Sequence, residues 1–346
     1  MDGARWLTAC TQPQAAMTAS PTLTPIRQDT ALGILCLCAG IGLFSVQDLI
    51  LKLVSSGYPL SQAMALRGLT AMPLLMLIAM RDGGLGTLFT PGLRQMILRG
   101  VVMFVAYATY YLALPALPIA TAVALYFSAP LFITILSVLW LGERVGWRRW
   151  GAVVIGFTGV LVMLRPGASL FDWAALLVLV SGLSYGFSMI MARHLGTTET
   201  APAMAFWGNT VFLVFALLMA LAFGDGRLAG EGHPSVQFLL RPWVWPTLVD
   251  AALMCGCGVI AALGLTLLTQ AYRIADSNAV APFEYSYMLW AVLWGWMFFA
   301  EWPDGVAWIG ISIIMSAGLM VLWREKVNEL PPAFELTGAE PGEDPR

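Results

Sequence analysis

An all-α membrane protein, with ten transmembrane helices in two inverted five-helix repeats, is the fold class this sequence predicts. Three observations predict it: a near absence of charge, ten apolar runs of spanning length, and an internal repeat whose unit is odd. Of the 346 residues, 59% are hydrophobic and 11% charged, where a soluble domain carries about 25% charge. So few charges cannot cover a water-facing surface, so the solvent is lipid. The net charge of -2 supplies no basic field, which excludes nucleic acid as a partner.

A run of about 20 apolar residues reads as a spanning helix. Ten occur, at roughly 32–54, 60–80, 96–115, 119–141, 149–165, 171–192, 203–223, 246–271, 277–299 and 306–323. Breakers separate them: Arg81-Asp-Gly-Gly84, Arg165-Pro-Gly167 and Trp302-Pro-Asp-Gly305. The connection over 224–245 is the long one. Residues 1–30 and 324–346 are polar and read as disordered cytoplasmic ends. Orientation follows from the basic residues. With the N-terminus inside, Arg81, Arg94, Arg99, Arg144, Arg148, Arg149, Arg193 and Arg273 all fall on the cytoplasmic side. Lys52, Arg165, Arg227 and Arg241 fall on the other, and Arg67 lies within a span. An even number of spans puts both termini in the cytoplasm of a cell whose inner membrane holds the chain.

The repeat is visible in the chain itself. Ala63-Met-Ala-Leu-Arg-Gly-Leu-Thr70 of the second run matches Ala203-Met-Ala-Phe-Trp-Gly-Asn-Thr210 of the seventh. Trp140-Leu-Gly-Glu143 matches Phe298-Phe-Ala-Glu301, and Gly146, Gly151 and Gly159 match Gly305, Gly310 and Gly318. The unit is five helices, so the second copy enters the membrane upside down. The halves are 31–167 and 168–323. Inverted repeats suit secondary transport, because alternating access needs two similar halves that exchange roles about a midplane site.

These residues also resemble a known family. Ala120-Thr-Ala-Val-Ala-Leu-Tyr-Phe-Ser-Ala-Pro-Leu131, Leu141-Gly-Glu-Arg144 and the stretch Gly151 to Pro166 look like an EamA domain. Val280-Ala-Pro-Phe-Glu-Tyr-Ser286, with Trp290 and Glu301, looks like a second copy. The resemblance to EamA-type members of the drug/metabolite transporter superfamily covers about 32–323 and implies ten helices in two inverted repeats. It also implies a small-molecule substrate: amino acids, nucleotide-like metabolites, vitamins or drugs. Gln47-Asp48, Lys52, Tyr58-Pro59 and Arg67-Gly68 are similar to the branch that includes riboflavin and S-adenosylmethionine carriers.

Charges within a bilayer cost roughly 2.5–3.5 kcal/mol each on insertion scales and so mark function or a pairing. Asp48 and Lys52 stand four apart on one helix face, which suits a self-neutralised pair. Arg67 reaches a depth that Asp48 shares, and two roles are open to it: a clamp on Asp48, or an anchor for a substrate carboxylate or phosphate. Glu284 has no Lys or Arg within a turn and follows Pro282, which frees a carbonyl and can kink a helix beside a cavity. A buried carboxyl there serves either as a proton-coupling or cation-sensing group or as a structural donor. Tyr110, Tyr126 and Tyr285 lie within spans, where rings pack or stack on a planar ligand. Trp207 and Asn209 join them, Trp207 because it occupies the repeat position of Arg67. The expected substrate-binding set is therefore Asp48, Arg67, Tyr110, Tyr126, Trp207, Asn209, Glu284 and Tyr285, with Glu284 the coupling residue. Glu143 and Glu301 read as fold elements. Gly310, Ser316 and Gly318 make the last helix a scaffold or homodimer face.

No cofactor, metal or catalytic residue is expected. Cys36, Cys38, Cys255 and Cys257 sit within apolar runs, each pair at i,i+2, which faces the two thiols differently. His194 and His233 lie outside the spans, so no buried Ser/His dyad forms. Neither H-E-x-x-H nor a P-loop occurs. The alternatives are an intramembrane enzyme and a small-solute channel. A channel shows repeated polar rings, and here the few charges differ between the halves.

Overall fold

The computed structural model describes residues 30–81, 84–142, 146–165, 172–195, 199–275 and 280–329. The polar lead-in to residue 29, the tail from 330, Glu143 and Arg144 lie outside the described residues. In chain order the helices are α1 (Thr30–Val54), α2 (Leu60–Arg81), α3 (Leu93–Ala113), α4 (Ile119–Tyr126), α5 (Ala129–Leu141) and α6 (Trp147–Leu164). Then come α7 (Ala174–Leu195), α8 (Ala201–Phe223), α9 (Pro234–Leu240), α10 (Leu248–Ile274), α11 (Ser286–Phe299) and α12 (Gly305–Glu329). Short 3-10 turns occupy Leu85–Leu88 and Ala281–Tyr285. Every regular element among the described residues is helical, as a lipid-spanning chain requires, because a helix satisfies its own backbone groups. Among the described residues seven helices are long and apolar enough to cross a membrane, and Trp150–Leu164 and Gly305–Met320 are shorter apolar helices.

Four details differ from the sequence reading. The fourth run is broken at Phe127–Ser128 between α4 and α5, where Pro130 enters at the start of α5. The ninth begins as the Ala281–Tyr285 turn around Pro282, and its α-helix starts only at Ser286. The last helix continues past 323 to Glu329. The long connection holds α9, whose Phe238 is fully buried.

In lipid, apolar attraction does not drive helices together, so close contact depends on small residues and on hydrogen bonds. The α1–α10 contact is built this way. A Cβ on Gly33 would stand 2.4 Å from the Ala275 methyl. Gly258 lets α10 approach the backbone of α2: a Cβ there would stand 2.0 Å from Thr70 Oγ1 and 2.4 Å from the Arg67 carbonyl oxygen. Thr70 Oγ1 donates to the Cys255 carbonyl at 2.9 Å across the same contact. Gly310 and Gly318 of α12 are used within the chain, against Met163 and Tyr285. Leu139, Leu161, Leu221 and Leu289 are exposed, as lipid-facing side chains are.

Connections gather at two ends of the bundle. At one, Arg241 donates to the Ser55 carbonyl at 2.6 Å, Gln62 to the Val244 carbonyl at 2.7 Å, and Trp243 to Ser61 at 2.8 Å. Arg165 pairs with Asp304, and His233 with Asp172, at that end. At the other, Thr90 donates to Glu199, and the Trp207 indole to the Leu88 carbonyl at 2.7 Å. The thiols of Cys36, Cys38, Cys255 and Cys257 are free.

Candidate functional site

Asp48 and Gln47 are each 2% exposed on α1. Tyr110 of α3 donates to Asp48 Oδ2 at 2.7 Å, and Tyr287 of α11 donates to the same oxygen. Gln47 faces the other way. Its Oε1 accepts from Arg67 Nε at 3.2 Å, and its Nε2 donates to the Tyr111 hydroxyl at 2.8 Å. Arg67 of α2 is 6% exposed, with its guanidinium over the rings of Phe212 (4.7 Å) and Tyr107 (5.4 Å). The hydrogen bond it makes to a described side chain uses Nε, and its terminal nitrogens are not among the buried polar atoms left without a partner. A planar guanidinium held at Nε and between rings presents the remaining N–H groups as a fork.

The expected Asp48–Lys52 pair is not what forms. Lys52 Nζ donates to Glu301 at 2.6 Å and to the Leu117 carbonyl at 2.7 Å, above the Phe299 ring. Glu301 also accepts from the Ile119 N–H at 3.3 Å. One i,i+4 step, about 6 Å along the axis, separates Lys52 from Asp48. The ion pair therefore joins the ends of α1, α4 and α11 at one mouth of the site. Asp48 keeps its phenol donors instead, and the immediate partner of Arg67 is Gln47.

An aromatic wall continues from Tyr110. Its ring meets Tyr126 at 5.4 Å, and Tyr126 meets Tyr185 of α7 at 5.6 Å. Glu284 lies within electrostatic range of Tyr126 and Tyr185, but it is exposed, where the sequence reading expected a buried carboxyl. The cause is local: around Pro282 the chain makes a 3-10 turn, which turns Pro282, Phe283 and Glu284 outward and Tyr285 inward. Ser128 Oγ and Ser286 Oγ, one at each helix break, are buried without a hydrogen-bond partner among the described residues.

The structure thus brings Asp48, Arg67, Tyr110 and Tyr126 together, with Glu284 nearby. The other expected residues make contacts elsewhere among the helices. Trp207 holds the Leu85–Leu88 turn through its indole N–H. Asn209 donates to the Gly68 carbonyl at 3.0 Å, tying α8 to α2. Tyr285 packs on Phe127 at 4.9 Å. Gln47, Tyr111 and Tyr287 are the members that sequence reasoning missed. Their signal was weak: uncharged residues in spans, one beside Asp48 and one two residues after Tyr285. Among the described residues no group of His, Cys, Asp and Glu could hold a metal ion. Asp225 sits in an exposed turn, where the Arg227 backbone N–H and guanidinium hold its carboxyl below the usual range.

Apolar helices, two of them interrupted beside buried charges of opposite sign, are the architecture of a membrane transporter for a small solute. The chain belongs to the EamA-like transporter family, whose model matches residues 31–165 and 172–323. It is 36% identical over 220 residues to a riboflavin transporter of Rhizobium johnstonii, covering 64% of this chain and 67% of that one. To an S-adenosylmethionine uptake transporter of Rickettsia bellii it is 29% identical over 230 residues, covering 66% and 72%. A pseudopaline exporter of Pseudomonas aeruginosa is 26% identical over 276 residues, covering 79% of this chain and 90% of that one. A crystal structure matches with a TM-score of 0.58 at 17% identity, over 86% of this chain and 100% of that one, a likeness of fold alone. The protein is a multi-pass membrane transporter of a metabolite and not an enzyme.

Proposed function

We propose that the chain carries a planar, heteroaromatic metabolite across the bacterial inner membrane by alternating access. Its ten spans form two inverted halves: α1, α2, α3, α4 with α5, and α6, then α7, α8, α10, the Ala281–Tyr285 turn with α11, and α12. One observation carries this reading: the helix packing maps onto itself when the halves are exchanged. Contact of α1 with α10 has its counterpart in α7 with α3, α2 with α10 in α8 with α3, and α1 with α11 in α7 with α5. Pairs α2–α8 and α6–α12 map onto themselves. The two helix breaks and the left-handed caps Gly142 and Ala300 also stand at matching places. Two halves with interchangeable contacts can rock between equivalent arrangements, opening the site first to one side and then to the other.

Asp48, Arg67, Tyr110 and Tyr126 form the substrate site in this reading. The aromatic wall suits the ring systems of riboflavin and S-adenosylmethionine, the solutes named for two relatives. Glu284 is the coupling group in this reading, an exposed carboxyl on the helix break within electrostatic range of Tyr126 and Tyr185. Both termini face the cytoplasm. Reconstitution in liposomes tests the mechanism: saturable uptake and acceleration by substrate on the far side are expected. Flux that neither saturates nor shows counterflow makes the chain a channel and ends the proposal.

A further inference from the structure

We propose that Arg99 of α3 and Ser188 of α7 form a second subsite beside the aromatic wall, and that it takes a phosphate group carried by the ligand. The inference rests on the carrier reading above and deepens it, since it gives the half opposite Arg67 a cation of its own.

Arg99 lies on the site face of α3. It stands at i, i+7 and i+11 with Ala106 and Tyr110, both buried, and those spacings share one face of a helix. The two residues before it, Ile97 and Leu98, are exposed and take the lipid side instead. Arg99 is half-buried and within electrostatic range of Tyr107 and Tyr185, both rings of the site. Its Nε donates to the Ser188 carbonyl at 3.3 Å. Ser188 is fully buried, about one turn along α7 from Tyr185, and its Oγ has no hydrogen-bond partner among the described residues. A hydroxyl in a helix commonly bonds back to the preceding turn, as those of Thr134, Thr158 and Thr210 do. Ser188 does not, so a buried donor is left for another partner.

The repeat accounts for the position of this cation. At the spacing that relates Ala63 to Ala203, Asp48 falls on Ser188 and Arg67 on Trp207. At the spacing that relates Glu143 to Glu301, Gly100 falls on Gly258 and Arg99 on Cys257. The packing agrees: a Cβ on Gly100 would stand 2.9 Å from the Val211 side chain of α8, so this glycine draws α3 to α8 as Gly258 draws α10 to α2. Cys257 lies within electrostatic range of Arg67. Each half therefore has one guanidinium at equivalent helix contacts, from α2 in one and from the facing helix, α3, in the other. A ligand anion held by Arg67 alone would lose its counter-charge on crossing, and an unpaired charge in an apolar path is costly. Arg99 supplies the second partner. Ser188 stands where the other half has Asp48, so the subsite joins a guanidinium fork to a hydroxyl, donors that match the oxygens of a phosphate. Glu284, also in range of Tyr185, is turned outward on its helix break.

Full-length protein in nanodiscs of neutral phosphatidylcholine tests this with riboflavin and flavin mononucleotide, one ring system without and with a phosphate. The expected result is flavin mononucleotide binding about tenfold or more tighter, the worth of at least one charge-assisted hydrogen bond. Arg99→Gln should remove that advantage. Ser188→Ala, which deletes one hydroxyl from a packed contact, should reduce it severalfold. The proposal is overturned if flavin mononucleotide does not bind, if it has no advantage, or if Arg67→Gln abolishes the advantage while Arg99→Gln keeps it. Where Arg99→Gln binds neither flavin, Ser188→Ala decides, and an undiminished advantage there overturns the proposal. Phosphatidylglycerol that displaces flavin mononucleotide from the discs would assign the subsite to a lipid headgroup and overturn it too. Counterflow in liposomes separates the two claims. Saturable riboflavin exchange with no phosphate preference keeps the carrier and rejects the subsite. Phosphate-dependent binding without counterflow does the opposite.

Discussion

Gln47 carries no charge, yet it decides where the Arg67 charge points. Replacing it by Leu removes the acceptor at Nε and the donor to Tyr111 while leaving Arg67 intact. We expect Gln47→Leu to raise the KM of transport about tenfold, the worth of roughly one charge-assisted hydrogen bond, with expression unchanged. An unaltered KM would mean that Phe212 and Tyr107 suffice to orient the guanidinium. Glu284→Gln is expected to abolish accumulation driven by a pH gradient and to spare exchange down a substrate gradient. Gradient-driven accumulation at the parent level would make Glu284 structural. At this scale the ionisable and aromatic residues were legible, because a charge in a span stands out against apolar neighbours. Asp48, Arg67, Tyr110 and Tyr126, which the structure clusters, were singled out that way. Tyr287 was not, because the phase of α11 is set by the 3-10 turn before it, and that turn decides which of Tyr285 and Tyr287 faces α1.

Elements are tied at their ends by contacts that two kinds of substitution can separate. Ala300 ends α11 in the left-handed region at φ 53, a conformation that costs a residue with a Cβ about 1 kcal/mol. Ala300→Gly should therefore raise the unfolding midpoint slightly, and a lowered midpoint would show that its methyl packs usefully. The Lys52–Glu301 pair works in the other direction. Lys52 is 6% and Glu301 27% exposed as side chains, so Glu301→Gln leaves a largely buried ammonium without its counter-charge. A loss on the order of 2 kcal/mol is expected, less than for a fully buried pair, with partial recovery in Lys52→Met, Glu301→Gln. Thermal unfolding in detergent reads both, and additive losses would mean that the two side chains act independently. Seven spans among the described residues were legible from length and hydropathy. The breaks in the fourth and ninth were less so, since one proline in an apolar run does not reveal where the helix restarts. Neither was α9, seven residues held by Phe238 rather than by periodicity.

For the molecule as a whole, the proposed repeat rests on five-helix spacing and a few shared residues in the chain. What the sequence did not reveal is how the halves meet, since that depends on which small residues touch: Gly258 against Thr70, Gly33 against Ala275. Orientation is tested at Gly230, in the long connection between α8 and α10. A cysteine there should react with an impermeant reagent applied to intact cells, and labelling only after permeabilisation would reverse the topology. Alternating access is tested most directly at Tyr126, in the wall of the site. In a chain otherwise free of cysteine, Tyr126→Cys in oriented vesicles should be labelled from either face at rates that shift in opposite directions when substrate is added. Disrupting the Lys52–Glu301 pair should increase labelling from the mouth it joins. Labelling from both faces at rates indifferent to substrate, or from one face alone under every condition, would contradict the account.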